Sequence, residues 1–172
     1  MHKLLKSTFL LLFVLPGCKS LATLPPSYTD LSIPNSITCQ VLYVHDGDTF
    51  KAICGKETII VRVACLDTPE KNQEGGATST QFTTTLIQQA GNVVTLVPLS
   101  KDRYGRVVGE VYVGTTLLQE ALLSSGNARI YERFSQCPNI QLMRNAEAFA
   151  KGGKLGIWGY NSVAPWNYRH KK

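Results

Sequence analysis

Apolar residues occur in short alternating runs over most of the chain and shift to helical spacing in three places. Thr38–Val44, Thr49–Cys54 and Thr58–Leu66 are β-branched runs of strand length, divided by Asp46-Gly47-Asp48 and by Cys54-Gly55-Lys56-Glu57. In the third run Val61, Val63 and Cys65 share one face, while Ile60, Arg62, Ala64 and Leu66 share the other. Ala77–Ala90 then predicts a helix, with Phe82, Leu86 and Ala90 four apart and Ile87 beside them. Its threonines make it a poor autonomous helix, so packing must hold it. Val93–Val97 and Arg106–Val113 predict a fourth and fifth strand across the charged turn Leu99–Gly105. Thr115–Ser125 predicts a second helix, capped by Thr115 or Thr116, with Leu117, Leu118, Ala121 and Leu122 inward. Asn139–Ala150 predicts a third, with Ile140, Met143, Ala146, Glu147 and Ala150 on one stripe, and Leu155, Ile157 and Trp158 a latch onto the body. This order predicts a mainly β domain with α: a five-stranded barrel packed against three helices.

The ends of the chain depart from that pattern. His2, Lys3 and Lys6 precede the unbroken apolar run Leu10–Leu15, which is too short to span a bilayer and breaks at Pro16-Gly17-Cys18. This resembles a bacterial lipoprotein signal, with residues 1–17 removed and Cys18 as the lipid attachment point; ordinary secretion is the other route. The expectation is an exported protein, lipid-anchored in the bacterial cell envelope or secreted. Residues 18–36, with Pro25, Pro26 and Pro34, read as a tether; 37–160 as the domain; and 161–172, ending in WNYRHKK, as a mobile basic tail.

Composition adds two points. The 172-residue chain carries a formal charge of +6, and loss of Lys3 and Lys6 would lower it to +4, a balance that suits a polyanionic partner. Cys39, Cys54, Cys65 and Cys137 are an even set in a chain expected to be exported, open to any of three complete disulfide pairings. With no CxxC pair among them, a structural zinc site is not indicated.

The chemistry concentrates in Val41–Glu70, where His45-Asp46-Gly47-Asp48-Thr49 and then Arg62, Asp67, Thr68, Pro69 and Glu70 interrupt strand-like sequence. Charges so placed are costly to bury without partners, and a metal ion with an anionic substrate would supply them. These residues, followed by Asp102-Arg103-Tyr104-Gly105-Arg106, Gly126-Asn127-Ala128 and Ala146-Glu147-Ala148-Phe149-Ala150…Leu155-Gly156-Ile157-Trp158, resemble the staphylococcal nuclease (thermonuclease-like) family over about residues 37–160. The resemblance implies an OB-like barrel and a Ca²⁺-dependent endonuclease that hydrolyses DNA and RNA to 3′-phosphate ends. It implies calcium ligands at Asp48, Asp67 and the Thr68 carbonyl, a water-positioning carboxylate at Glu70, phosphate-gripping arginines at Arg62 and Arg106, and a supporting acid at Asp46. Lys71, Lys101 and Arg103 are candidate contacts to the nucleic-acid backbone, and Tyr131 and Phe134 to its bases. The family's tyrosine pair is not reproduced there, since Glu132 falls near one place and Phe134 lacks the hydroxyl. The expected protein is monomeric. The alternative, a non-catalytic OB-like nucleic-acid-binding module of the envelope, is disfavoured because Asp48, Arg62, Asp67, Glu70 and Arg106 are all present.

Overall fold

A computed structural model describes residues 33–160 and 162–170; the expected signal peptide, Cys18 and all but the end of the tether lie outside the described residues. Strands β1 (Ile37–Asp46), β2 (Thr49–Cys54) and β3 (Glu57–Val63) form a meander, and β5 (Val93–Lys101) and β6 (Val107–Val113) extend it in the order β3-β2-β1-β5-β6. The four pairings in that order are antiparallel, so β3 and β6 run the same way, and their parallel pairing closes a five-stranded barrel. An odd-stranded closed barrel must contain such a pair, because alternating directions cannot return to their start. A sixth strand, β7 (Thr116–Leu117), adds to β6, and β4 (Leu66–Asp67) pairs separately with β8 (Arg129–Ile130). Phe50, Val61, Leu96 and Val111 fill the barrel, and Leu118, Leu122, Leu123 and Met143 join it to the helices.

Four helices are described: α1 (Gly76–Gln89), α2 (Leu118–Ser124), α3 (Ile140–Gly152) and the short α4 (Pro165–Arg169). The OB-like barrel with three longer helices is the architecture expected, but several details differ. The third run does not continue to Leu66: Cys65 adopts φ 66°, the left-handed region, and turns the chain so that Leu66–Asp67 starts a new strand. On α1 the buried stripe is Gly76, Ser79, Thr83 and Ile87, with Phe82, Leu86 and Ala90 only partly buried beside it. Thr116 is in β7 instead of opening a helix, and Leu117 occupies the N-cap of α2 without a side-chain cap. Buried Gln119 accepts from the Val111 N–H at 3.2 Å and donates to the Gly109 carbonyl at 3.2 Å, which fixes α2 to the barrel wall. Where the sequence ends in an expected mobile tail, α4 begins at Pro165 in the first helical turn, the position a proline favours, and lies against the body.

Both disulfides brace the region that carries the acidic residues. Cys39 faces Cys54 across β1 and β2 and is bonded to it, and Cys65 is bonded to Cys137 ahead of α3. The closed loops span 15 and 72 residues. On the loop-entropy model these bonds contribute about 3 and about 4 kcal/mol by restricting the unfolded chain.

Candidate active site

The acidic turn is the two-residue link of the β1–β2 hairpin: Asp46 pairs with Thr49, leaving Gly47 and Asp48 at the tip. The register slips between Val44 and Asp46, a bulge of the kind that re-aims side chains. Helix α1 presses on this tip. Thr83 Oγ1 donates to the Gly47 carbonyl at 2.6 Å, and a Cβ on Gly47 would lie 2.8 Å from Ser79 Cβ and from Thr68 Cγ2. Only glycine allows that approach, and the hydroxyl-bearing face of α1 is what makes it useful. From the other side, the Asp48 carbonyl accepts the Val63 N–H at 2.8 Å, which ties the turn to β3.

The geometry brings together four of the expected residues. Asp48 is 4% exposed and Asp67 1%, and the Arg62 guanidinium bridges them, with Nη1 2.8 Å from Asp48 Oδ2 and Nη2 2.8 Å from Asp67 Oδ1. Arg62 stands opposite Thr49 on β2 and also donates to the Val63 and Leu66 carbonyls at 3.1 and 3.0 Å. Asp67 is delivered by β4, whose partner residue is Arg129 of β8. The Asp48 carboxylate further accepts the Thr68 amide at 2.8 Å and the Thr68 and Thr49 hydroxyls at 3.0 Å each. Thr68 therefore meets Asp48 through its N–H and hydroxyl. Burial pushes the Asp46 carboxyl up to about 7, and the charge of Asp48 adds to the rise. Burial also raises Asp67, against the pull of Arg169 and Arg62.

Arg169 was missed by the sequence reading, which assigned it to a tail. From α4 its Nη2 lies 2.6 Å from Asp67 Oδ2 and its Nη1 2.6 Å from Glu70 Oε1. Burial would lower its pKa, but the hydrogen bonds to Asp67 and Glu70 raise it, so it stays charged. The Tyr168 hydroxyl donates to the Asn72 carbonyl at 3.0 Å, and Trp166 stacks on Tyr131 at 5.3 Å between ring centres. His45, Asp46, Glu70, Lys71, Tyr168 and Arg169 line a cleft of about 410 Å³. The signal for this docking was the Pro165 start with Trp166 and Arg169 three residues apart, one helical turn.

The remaining candidates are more dispersed. Arg106 is ion-paired with Asp102 at 2.7 Å, and not with the acidic cluster. Burial works against ionising Asp102, yet the hydrogen bonds from Arg106 hold its carboxyl below the ordinary value. Arg106 immediately precedes β6, where Val107 pairs with Val61 and Val108 with Arg62, so Arg106 stands at the entry to the strand beside that of Arg62. Arg103 is exposed and donates to the Tyr104 hydroxyl at 2.7 Å. Lys101 lines a second depression with Leu99 and Ser100. Phe134 is exposed and tilted against Tyr131 at 5.4 Å, while Glu132 forms a paired contact with Arg144, both bonds 2.8 Å.

Among the described residues no three His, Cys, Asp or Glu side chains group as a metal cage. The donors nevertheless suit a hard cation. Asp48 and Asp67 offer buried carboxylate oxygens whose charge is offset by guanidinium, and an ion that accepts water readily needs few protein donors.

Comparison with known proteins agrees with the geometry. A family model described as "Staphylococcal nuclease homologue" matches residues 60–160. An Escherichia coli endonuclease is 33% identical over 77% of this chain and 85% of its own length. A Haemophilus influenzae endonuclease is 34% identical over 78% of this chain and 74% of its own. A micrococcal nuclease of Shigella flexneri is 31% identical over 76% and 79%. With the barrel, the bridged carboxylates and Glu70 in place, the chain belongs to the staphylococcal nuclease homologue family.

Proposed function

We propose that this protein is an exported, monomeric, calcium-dependent endonuclease that hydrolyses DNA and RNA and leaves 3′-phosphate ends. The observation that carries the reading is the buried Asp48–Arg62–Asp67 bridge beside Glu70, a concentration of opposite charge with no need to exist for folding alone. Asp48, Asp67 and the Thr68 carbonyl would hold the calcium ion, which, when bound, supplies positive charge against the phosphate. Arg62 offers donors to an equatorial phosphate oxygen, and Arg106 offers a second set as negative charge grows in the transition state. Glu70 accepts a hydrogen bond from the attacking water and orients it on phosphorus. As the water oxygen bonds to phosphorus and gives up a proton, the bond to the 5′-oxygen breaks and that oxygen takes up a proton from solvent, which leaves the phosphate on the 3′ side and a free 5′-hydroxyl. Lys71 and Arg103 add charge along the backbone path, so binding weakens as salt rises. Export is supported by the two disulfides, which persist in oxidising compartments. Lipid attachment at Cys18 remains the anchoring route proposed from the signal.

One digest tests the activity. The mature chain, with Cys18→Ser to prevent lipidation, is incubated with single- and double-stranded DNA and RNA under calcium, magnesium or chelator, and the new ends are identified. Calcium-dependent cleavage with 3′-phosphate ends is expected; no metal-dependent cleavage of any substrate refutes the reading.

A further inference from the structure

The chain's own α4 supplies Tyr168 and Arg169 to the wall of the cleft. Arg62 and Arg169 between them engage both oxygens of Asp67, and Arg169 also holds Glu70. One of the two guanidiniums must yield before a cation can use Asp67. Arg62 is 14% exposed, sits within β3 and is held by two backbone carbonyls as well as two carboxylates. Arg169 is 41% exposed and reaches the cluster only through five-residue α4. Besides Arg169, the segment is fastened by contacts that include Tyr168 on Asn72, Trp166 on Tyr131, Gln73 Nε2 donating to the Val163 carbonyl at 2.6 Å, Arg129 Nη2 donating to the Ser162 carbonyl at 3.0 Å and the buried Pro165, and none of these is an ion pair. The group that yields is therefore Arg169.

We propose that α4 is a strap over the cleft, in which the Arg169 guanidinium is a built-in counter-ion that a divalent cation displaces from Asp67 and Glu70. The proposal rests on the calcium-dependent reading of the same site. A singly charged guanidinium spread over two carboxylates is replaced by a doubly charged ion that attracts them more strongly. The strap also covers Tyr131 with Trp166, so the face a nucleobase would stack on is taken while the strap is closed. Cation and nucleic acid share one opening step, and each lowers the cost of binding the other.

Calcium titration calorimetry on the full mature chain tests this, with hydrogen exchange of residues 162–170 followed in parallel. The variants are Arg169→Met and Trp166→Ala; the second loosens the strap without changing charge. Both should bind calcium about tenfold more tightly than the parent, the factor for a strap closed in about nine molecules of ten. Calcium should also speed exchange of residues 162–170 in the parent. Tightening in Arg169→Met alone would show a simple charge effect and overturn the strap, as would equal or weaker binding in Arg169→Met. No calcium binding by any of the three proteins overturns the calcium reading and the strap with it.

Discussion

Replacing Arg62 with methionine removes the one guanidinium that touches both Asp48 and Asp67 while keeping much of the side-chain volume. Two ion pairs at 2.8 Å disappear, and the carboxylates stay buried at 4% and 1% exposure. Arg169 still reaches Asp67, but Asp48 loses its guanidinium and keeps hydrogen bonds such as those from the Thr68 amide and the two threonine hydroxyls. Breaking a buried pair from one side costs about 3–5 kcal/mol, because the charge left behind is poorly solvated. With a urea slope of about 2 kcal/mol per molar, the unfolding midpoint should fall by roughly 2 M in chelator near neutral pH. The loss should shrink at a pH low enough to protonate the aspartates, since a neutral carboxyl needs no counter-charge. Calcium at about 100 times its dissociation constant should return about 2.7 kcal/mol. Urea melts of parent and variant, at acid and neutral pH and with and without calcium, give all these numbers. A midpoint unchanged in chelator would refute the charge-bridge argument. A loss equal at acid and neutral pH would move the cause from charge to packing.

Other perturbations separate catalysis from architecture. Arg106→Ala should keep the unfolding free energy within about 1 kcal/mol, since its pair with Asp102 is partly solvated, while kcat falls roughly 10²-fold; near-normal turnover would sink its assignment. Gly76→Ala would drive a Cβ into the Glu70 carbonyl, which should cost about 1–3 kcal/mol and lower kcat more than it changes KM. Asp46 has a folded-state pKa of about 7, raised from 3.8 by burial and by Asp48. A carboxyl raised from 3.8 to about 7 favours the folded state fully below 3.8, and in chelator that contribution falls away as pH rises from there through about 7. Asp46→Asn should flatten the decline between acid and neutral urea melts; an unchanged slope would assign the decline to other groups.

The sequence made the strands legible because their period of two is local, and it made Asp48, Arg62, Asp67 and Glu70 legible because charge inside β-branched runs needs a reason. It did not reveal which side of α1 would pack. The buried stripe there is small and hydroxylated, and Ser79 and Thr83 serve the backbone of Asn127 and Gly47 instead of an apolar core. Nor did alternation foresee the end of β3, because the left-handed Cys65 is held by tertiary constraints: its bond to Cys137, and its carbonyl accepting the Tyr131 N–H at 2.9 Å. The pairing of cysteines is a three-dimensional fact of the same kind. The last segment was misjudged because a basic terminus and a docked helix have nearly the same composition. What distinguishes them is the set of acids waiting on Asp67 and Glu70, about a hundred residues earlier, with separations of 102 and 99.

The single parallel pair in the barrel has a consequence for how freely this protein can be remodelled. Arg62 and Arg106 are 44 positions apart, yet Val61–Val107 and Arg62–Val108 pairing sets their backbones roughly 8 Å apart by strand spacing and rise alone. Between them the chain also supplies barrel strand β5 and helix α1, which packs on the Gly47 turn, but the loop after Glu70 hangs outside that span. That loop can be lengthened, shortened or exchanged while the distance between the arginines stays fixed by backbone hydrogen bonds. The barrel thus works as a ruler: the loops can drift, and the spacing of the two arginines proposed to grip phosphate need not.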